Sequence, residues 1–174
     1  MGLNQIKTFL FILIVILIVG CSEDSEKQLP DMKKLQEDLL EANKKATFLE
    51  SEQIDSYVKR KSIEVNKTNT GLRYYIYNDV EGDLIMKNQK AIIKYTVSLL
   101  DGTECYSTKN KVEEFIVGKD YVESGLHEGI VFMNAGDKAL IIIPSYLAHG
   151  LAGDLKKIPF RSTIVYDVEL VAIK

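Results

Sequence analysis

At Asn69-Thr70-Gly71 the spacing of apolar residues changes from a period near 3.6 to a period of 2, and this change constrains the fold more than any other feature of the chain. Upstream, Met32, Leu35, Leu39, Ala42 and Ala46 recur at three- and four-residue steps among Lys and Glu, and Ile54, Tyr57 and Val58 continue the pattern. The spacing predicts two amphipathic helices between Asp31 and about Ile63, the second opened by Ser51 as a cap. Downstream, Leu72, Tyr74 and Ile76 alternate with Arg73, Tyr75 and Tyr77, as do Ile93, Tyr95, Val97 and Leu99 with Lys94, Thr96 and Ser98. Ile164, Tyr166, Val168 and Leu170 form a third such series. Each reads as a strand with one buried face.

Three further elements follow. Glu114 to Gly118 reads as a short strand ending in a glycine able to take positive φ. Ala139 to Ile143 is almost wholly apolar and stops at Pro144, which suits a central strand covered on both faces. Between Asp120 and Met133, Val122, Leu126, Ile130 and Met133 stand at helical spacing, so a short helix is expected against the sheet. The expectation is an α+β domain of about five antiparallel strands with one helix on one face, preceded by a helical extension.

Composition narrows the function. The 174 residues carry a formal net charge of -3 with acidic and basic residues interleaved. No basic stripe is present to hold a phosphate backbone, which argues against nucleic acid as a partner. The two cysteines, Cys21 and Cys105, make no disulfide framework, and neither a CxxC pair nor a His cluster offers a metal site.

The amino terminus is of a different kind. Lys7 precedes an apolar run from Thr8 to Val19, shorter than the roughly 20 residues a spanning helix needs, and the run ends at Gly20-Cys21. Ile18-Val19-Gly20-Cys21 resembles a bacterial lipobox, so the expectation is a signal peptide over 1–20 and a lipid on Cys21. An uncleaved membrane anchor is the alternative, and the stop at the cysteine speaks against it. Each buried acyl methylene is worth about 0.8 kcal/mol, so more than one chain holds durably. Ser22 to Glu26 is polar and acidic, and 21–30 reads as a solvated tether. The protein is thus expected in the cell envelope, lipid-anchored, at the outer membrane and facing the periplasm or the surface. The organisation is completed by the extension, 31–70, and a domain over 71–174. The Lys-rich faces of the extension read as solvated helix surface, with a homodimer seam or a client-holding groove as the alternative readings of its apolar stripe.

Particular residues carry a family resemblance. Tyr95, Leu100-Asp101-Gly102-Thr103, Phe115-Ile-Val-Gly118, Gly125-Leu-His-Glu-Gly129, Met133-Asn-Ala-Gly136-Asp-Lys-Ala139, Ile143-Pro144, Leu147-Ala-His-Gly150, Ile158-Pro159 and Tyr166-Asp-Val-Glu-Leu170 resemble the FKBP-type peptidyl-prolyl cis–trans isomerases in order and spacing. Ser51 to Tyr57, Thr70 to Tyr77 and Leu-Ala-His-Gly150 make the chain similar, within that family, to the gliding-motility-associated lipoproteins of the Bacteroidetes.

The resemblance implies an FKBP-like antiparallel sheet half-wrapped around a short helix, with an apolar pocket for a proline ring. The implied reaction is isomerisation of X-Pro bonds in exported proteins. Rotation about a peptide bond crosses a barrier of about 18–20 kcal/mol, because the twisted amide loses its resonance. A site that binds the twisted amide better than either planar form lowers that barrier, with no nucleophile, metal or cofactor. By position the resemblance places Tyr95 and Tyr166 as aromatic walls, Val122 and Leu126 on the helix side, Ile158 as a clasp whose backbone N–H receives a substrate carbonyl, and Phe115 near the rim.

Several residues depart from the family. Cys105-Tyr106 replaces Phe-Asp, Glu113 replaces a pocket aromatic, Leu126 replaces Trp, and His149 replaces Tyr. Tyr106 and His149 are expected to supply a hydroxyl and a ring N–H instead. The departures leave two further readings: a proline-binding chaperone or motility-complex component with little turnover, and a structural lipoprotein that dimerises through its helices.

Overall fold

The computed structural model describes residues 31–174. Cys21, the expected signal peptide and the acidic tether lie outside the described residues. The chain divides into two compact units at Glu41/Ala42. One helix, α1, occupies Met32–Lys61 where two were expected. Its start is marked by Asp31, whose Oδ1 accepts the Lys33 N–H at 3.0 Å, the geometry that satisfies an otherwise orphaned helical donor. Ser62 takes φ 53° and ends it, with the Ile63 N–H returning to the Val58 carbonyl as in a helix C-cap. Ser51 lies inside the helix and is no cap. Nothing interrupts the helical propensity of 47–53, which holds neither Gly nor Pro.

In the first unit the described residues are the opening turns of α1, where Met32, Leu35, Leu39 and Leu40 are all exposed.

The second unit holds the sheet. Its strands are β1 (Asn66–Lys67), β2 (Arg73–Asn78), β3 (Lys90–Leu99), β4 (Glu104–Ser107), β5 (Glu113–Ile116), β6 (Lys138–Ile143) and β7 (Ile164–Ile173). All pair antiparallel in the order β1-β2-β6-β7-β3-β4, with β5 sharing the outer edge of β3. The sequence placed five of these, β2, β3 and β7 by alternation, β6 by its apolar run and β5 by its short stretch before Gly118. β1 and β4, two and four residues long, are too short to show a period.

Helix α2 (Ser124–Ile130) is shorter than the Asp120–Met133 span expected, and Val122 lies ahead of its first turn. It packs on one sheet face through Leu126 and Ile130. Gly125 and Gly129 permit the approach: a Cβ at Gly129 would come within 2.6 Å of Ile141 Cγ2, and one at Gly125 would overlap Ile143. The other face is covered by α1, whose Ile54 and Tyr57 meet Ile142 of β6 and Val165 of β7. β6 is therefore buried on both faces, as its apolar run implied. The same covering explains Arg73, expected to point to solvent but only 1% exposed. Its guanidinium donates to Asp55 Oδ1 at 2.6 and 3.1 Å and to Ser51 Oγ at 2.7 Å, both on α1.

Candidate active site

Antiparallel register sets the walls. Val97 of β3 pairs with Tyr166 of β7, and Tyr95, two residues earlier on β3, projects from the same side of the strand. The two rings meet at 5.3 Å between centroids, tilted by 52°. α2 places Leu126 beneath them, and Phe115 of β5 closes one side with only 4% of its surface exposed. These residues, with Val122 and His149, line a cavity of about 570 Å³ between sheet and helix, within the size range of small-ligand sites.

Polar groups share the lining with these apolar residues. Tyr166 donates its hydroxyl to Glu123 Oε2 at 3.0 Å, and Glu123 Oε1 lies 3.0 Å from His149 Nε2. Tyr95 donates to Glu113 Oε2 at 2.9 Å. Burial, then the Glu123 charge and hydrogen bond, push the Tyr166 phenol well above its ordinary range. Burial and the Glu113 hydrogen bond do the same for Tyr95. Both phenols thus stay protonated and act as donors. The loop carrying His149 is braced from outside: Glu50 of α1 accepts the Ser145 N–H at 2.6 Å and the Ser145 and Thr163 hydroxyls at 2.9 and 2.7 Å. Ser124 Oγ at the head of α2 donates to the Leu147 carbonyl at 3.0 Å.

Two residues assigned to the site by resemblance stand elsewhere. Ile158 is 3% exposed within the core and does not line the cavity. Its backbone N–H donates to Asp154 Oδ1 at 2.8 Å, so the clasp expected to receive a substrate carbonyl is satisfied within the chain. Tyr106 faces a second, adjoining hollow of about 300 Å³ that shares Tyr95, Glu123, His149 and Tyr166 with the first. There its hydroxyl donates to Asp154 Oδ2. A carboxylate from the loop after Gly153 thus stands beside Tyr106. Asp154 also accepts the N–H groups of Lys156 and Lys157 at 2.9 Å each. Partial burial works against ionisation there, but the Tyr106 hydroxyl and the three N–H donors outweigh it and hold the carboxyl well below the usual range.

Glu123 and Asp154 were not foreseen. Their partners lie 43 and 48 residues away in sequence, a separation that periodicity does not report. Cys105 is buried, its thiol pushed up chiefly by that burial and then by the Asp154 charge. It is a small core residue and not an activated nucleophile. Ser124, the one hydroxyl on α2, is committed to a backbone carbonyl.

An antiparallel sheet about a short helix, with a hollow of ligand size between them, places the chain among α+β proteins with a pocket at the sheet–helix seam. Residues 82–171 match the family described as FKBP-type peptidyl-prolyl cis-trans isomerase. The chain is 31% identical over 120 residues to the Escherichia coli (strain K12) FKBP-type peptidyl-prolyl cis-trans isomerase FkpA, covering 69% of this chain and 43% of that protein. It is 36% identical over 97 residues to peptidyl-prolyl cis-trans isomerase Fkbp12 of Drosophila melanogaster, covering 54% and 90%. The crystal structure of FkpA from Escherichia coli superposes with a TM-score of 0.64 at 26% identity, covering 97% of this chain and 82% of that one. The chain belongs to the FKBP-type peptidyl-prolyl cis-trans isomerase family. It spans about half the length of the curated relatives it first matches, 61%, 44% and 43% of the three.

Proposed function

We propose that this chain isomerises X-Pro peptide bonds in exported proteins while tethered through a lipid on Cys21. The observation that carries the reading is the hollow itself: Tyr95, Phe115, Leu126 and Tyr166 surround a space that admits a proline ring. A bound X-Pro amide exchanges water for aromatic and aliphatic surface. That exchange withdraws hydrogen bonds from the carbonyl and weakens the charge-separated resonance form that keeps the amide planar. The family's named activity supports the same reading.

The direct test is a proline-isomerisation assay on the full chain with Tyr166→Ala beside it. Acceleration that Tyr166→Ala abolishes supports the enzyme. A second reading, a proline-binding chaperone or motility-complex component with little turnover, is favoured by one observation, the occupied Ile158 N–H. Peptide binding without acceleration would select it.

The gliding-motility assignment rests on the resemblance of Ser51 to Tyr57, Thr70 to Tyr77 and Leu-Ala-His-Gly150, and a deletion strain that glides normally would dismiss it. The envelope location and lipid anchor rest on Gly20-Cys21 after an apolar run, and Cys21→Ser releasing the protein from membranes would support them. Among the described residues no helix is long and apolar enough to cross a membrane. A homodimer through α1 is supported by the exposed Leu35, Leu39 and Leu40. A chain that sediments as a monomer both before and after Leu39→Asp would remove it.

A further inference from the structure

The hollow mixes aromatic and aliphatic walls with carboxylates, and Lys156 lines only the adjoining hollow. The lining of the first hollow includes Glu113, Glu114 and Glu123 and no Lys or Arg. Glu114 is neutralised from outside by Lys90 at 2.8 Å. Glu113 and Glu123 are instead held by phenol hydroxyls, which orient a carboxylate without cancelling its charge. The Glu123 side chain is only 15% exposed, and its other contact is His149. Tyr121 stands fully exposed at the mouth with its ring open to solvent, and an aromatic face attracts a cation. Glu113 is exposed at the rim, but Glu123 is largely withdrawn from water, and a pocket that needed only a proline ring would gain nothing from that carboxylate, since burying it costs free energy.

We infer that the hollow prefers X-Pro segments bearing lysine or arginine next to the proline, with Glu113 and Glu123 as the specificity-determining groups. This rests on the reading of the hollow as a proline site. The cationic side chain lies along the Tyr121 ring and places its charge between the two carboxylates. A glutamate in the same position meets two like charges in a partly desolvated rim. The preference is a binding effect, so it belongs in KM more than in kcat.

The test is a set of tetrapeptides differing only beside the proline, carrying Lys, Leu or Glu, measured for both isomerisation and equilibrium binding with the full chain and with Glu113→Gln and Glu123→Gln. One charge pair at about 4 Å in water is worth about fivefold, and reversing the sign acts twice, so Lys over Glu is expected to reach about 25-fold at low salt. The ratio shrinks toward one in about 1 M salt, where the screening length is about 3 Å. In each Gln variant the Lys-to-Glu ratio falls within the same preparation, a readout that general loss of fold does not mimic.

Equal acceleration of all three peptides by the unaltered chain overturns this inference and leaves the isomerase reading standing. Absence of acceleration on every peptide defeats the isomerase reading, and the binding ratio then decides the charge preference alone. A ratio that survives in both variants assigns the selectivity to other groups and overturns the inference.

Discussion

Removing Asp55 tests how α1 is held on the sheet. Arg73 is 1% exposed and Asp55 51% exposed, with 2.6 Å between them. Breaking a fully buried pair by deleting one partner costs about 3–5 kcal/mol. Here the carboxylate is half in water, which screens its share. The guanidinium also keeps Ser51 Oγ at 2.7 Å and the Gly71 carbonyl at 2.5 Å. Asp55→Ala is therefore expected to cost about 2 kcal/mol, as a buried charge losing one of its hydrogen-bonded partners. At the size of this chain that lowers Tm by about 4–8 °C. Arg73→Met in the Asp55→Ala background is expected to recover at least about half of the loss, because an apolar side chain leaves no charge stranded under the helix. Urea unfolding of the single and double variants measures each value. Single variants within about 0.5 kcal/mol of the parent, or a double variant equal to the sum of the singles, would refute the clamp.

The other expectations concern the site's supports. Gly125→Ala forces a methyl group into Ile143 and is expected to cost about 1–3 kcal/mol in unfolding free energy by prising α2 from β6. Tyr166 has a folded pKa raised above the ordinary phenol value of 10.0, so the stability it contributes is complete below that value and is lost as pH rises past it, when the unfolded chain ionises first. Unfolding measured from neutral to alkaline pH should fall off less steeply in Tyr166→Phe. Asp154 has the opposite sign: its folded pKa lies below the ordinary 3.8, so its contribution is complete above that value and is lost as pH falls through the folded one. Asp154→Asn is expected to flatten the acid limb of stability, and an unchanged limb would deny Asp154 its place in the loop.

Much of the domain was legible because its strands are long and alternate. Ile93 and Val97, and Ile164, Tyr166, Val168 and Leu170, are all buried on the face their spacing assigned. β6 was legible for the opposite reason, since a strand covered twice has no polar face to show. Arg73 was misread because alternation reports one covered face and says nothing of a helix arriving from 18 residues upstream to cover the other. Ser51 was misread as a cap because its hydroxyl is a good one in isolation, whereas here it accepts from Arg73.

The site divided the same way. Strand and helix register marked the aromatic and aliphatic wall residues as buried, and only the family resemblance singled them out as a pocket, which Tyr95, Phe115, Leu126 and Tyr166 do line. The groups that set its charge did not: Glu123 reaches Tyr166 and His149, and Asp154 reaches Tyr106, only after the chain has folded back on itself. Ile158 was named by position in the family, and its N–H here donates to Asp154 within the chain, a contact that position alone does not report.

The central claim is that the hollow between β3, β7 and α2 speeds rotation of an X-Pro bond. Exchange NMR on a proline peptide with catalytic amounts of the chain reads that rotation without a coupled protease. The account predicts cis–trans exchange raised from the uncatalysed scale of about tens of seconds into the range that exchange spectra detect, and lost when Leu126→Asp sets a charge on the pocket floor. Exchange that stays at the uncatalysed rate with the unaltered chain, or that survives Leu126→Asp in a folded protein, would contradict it.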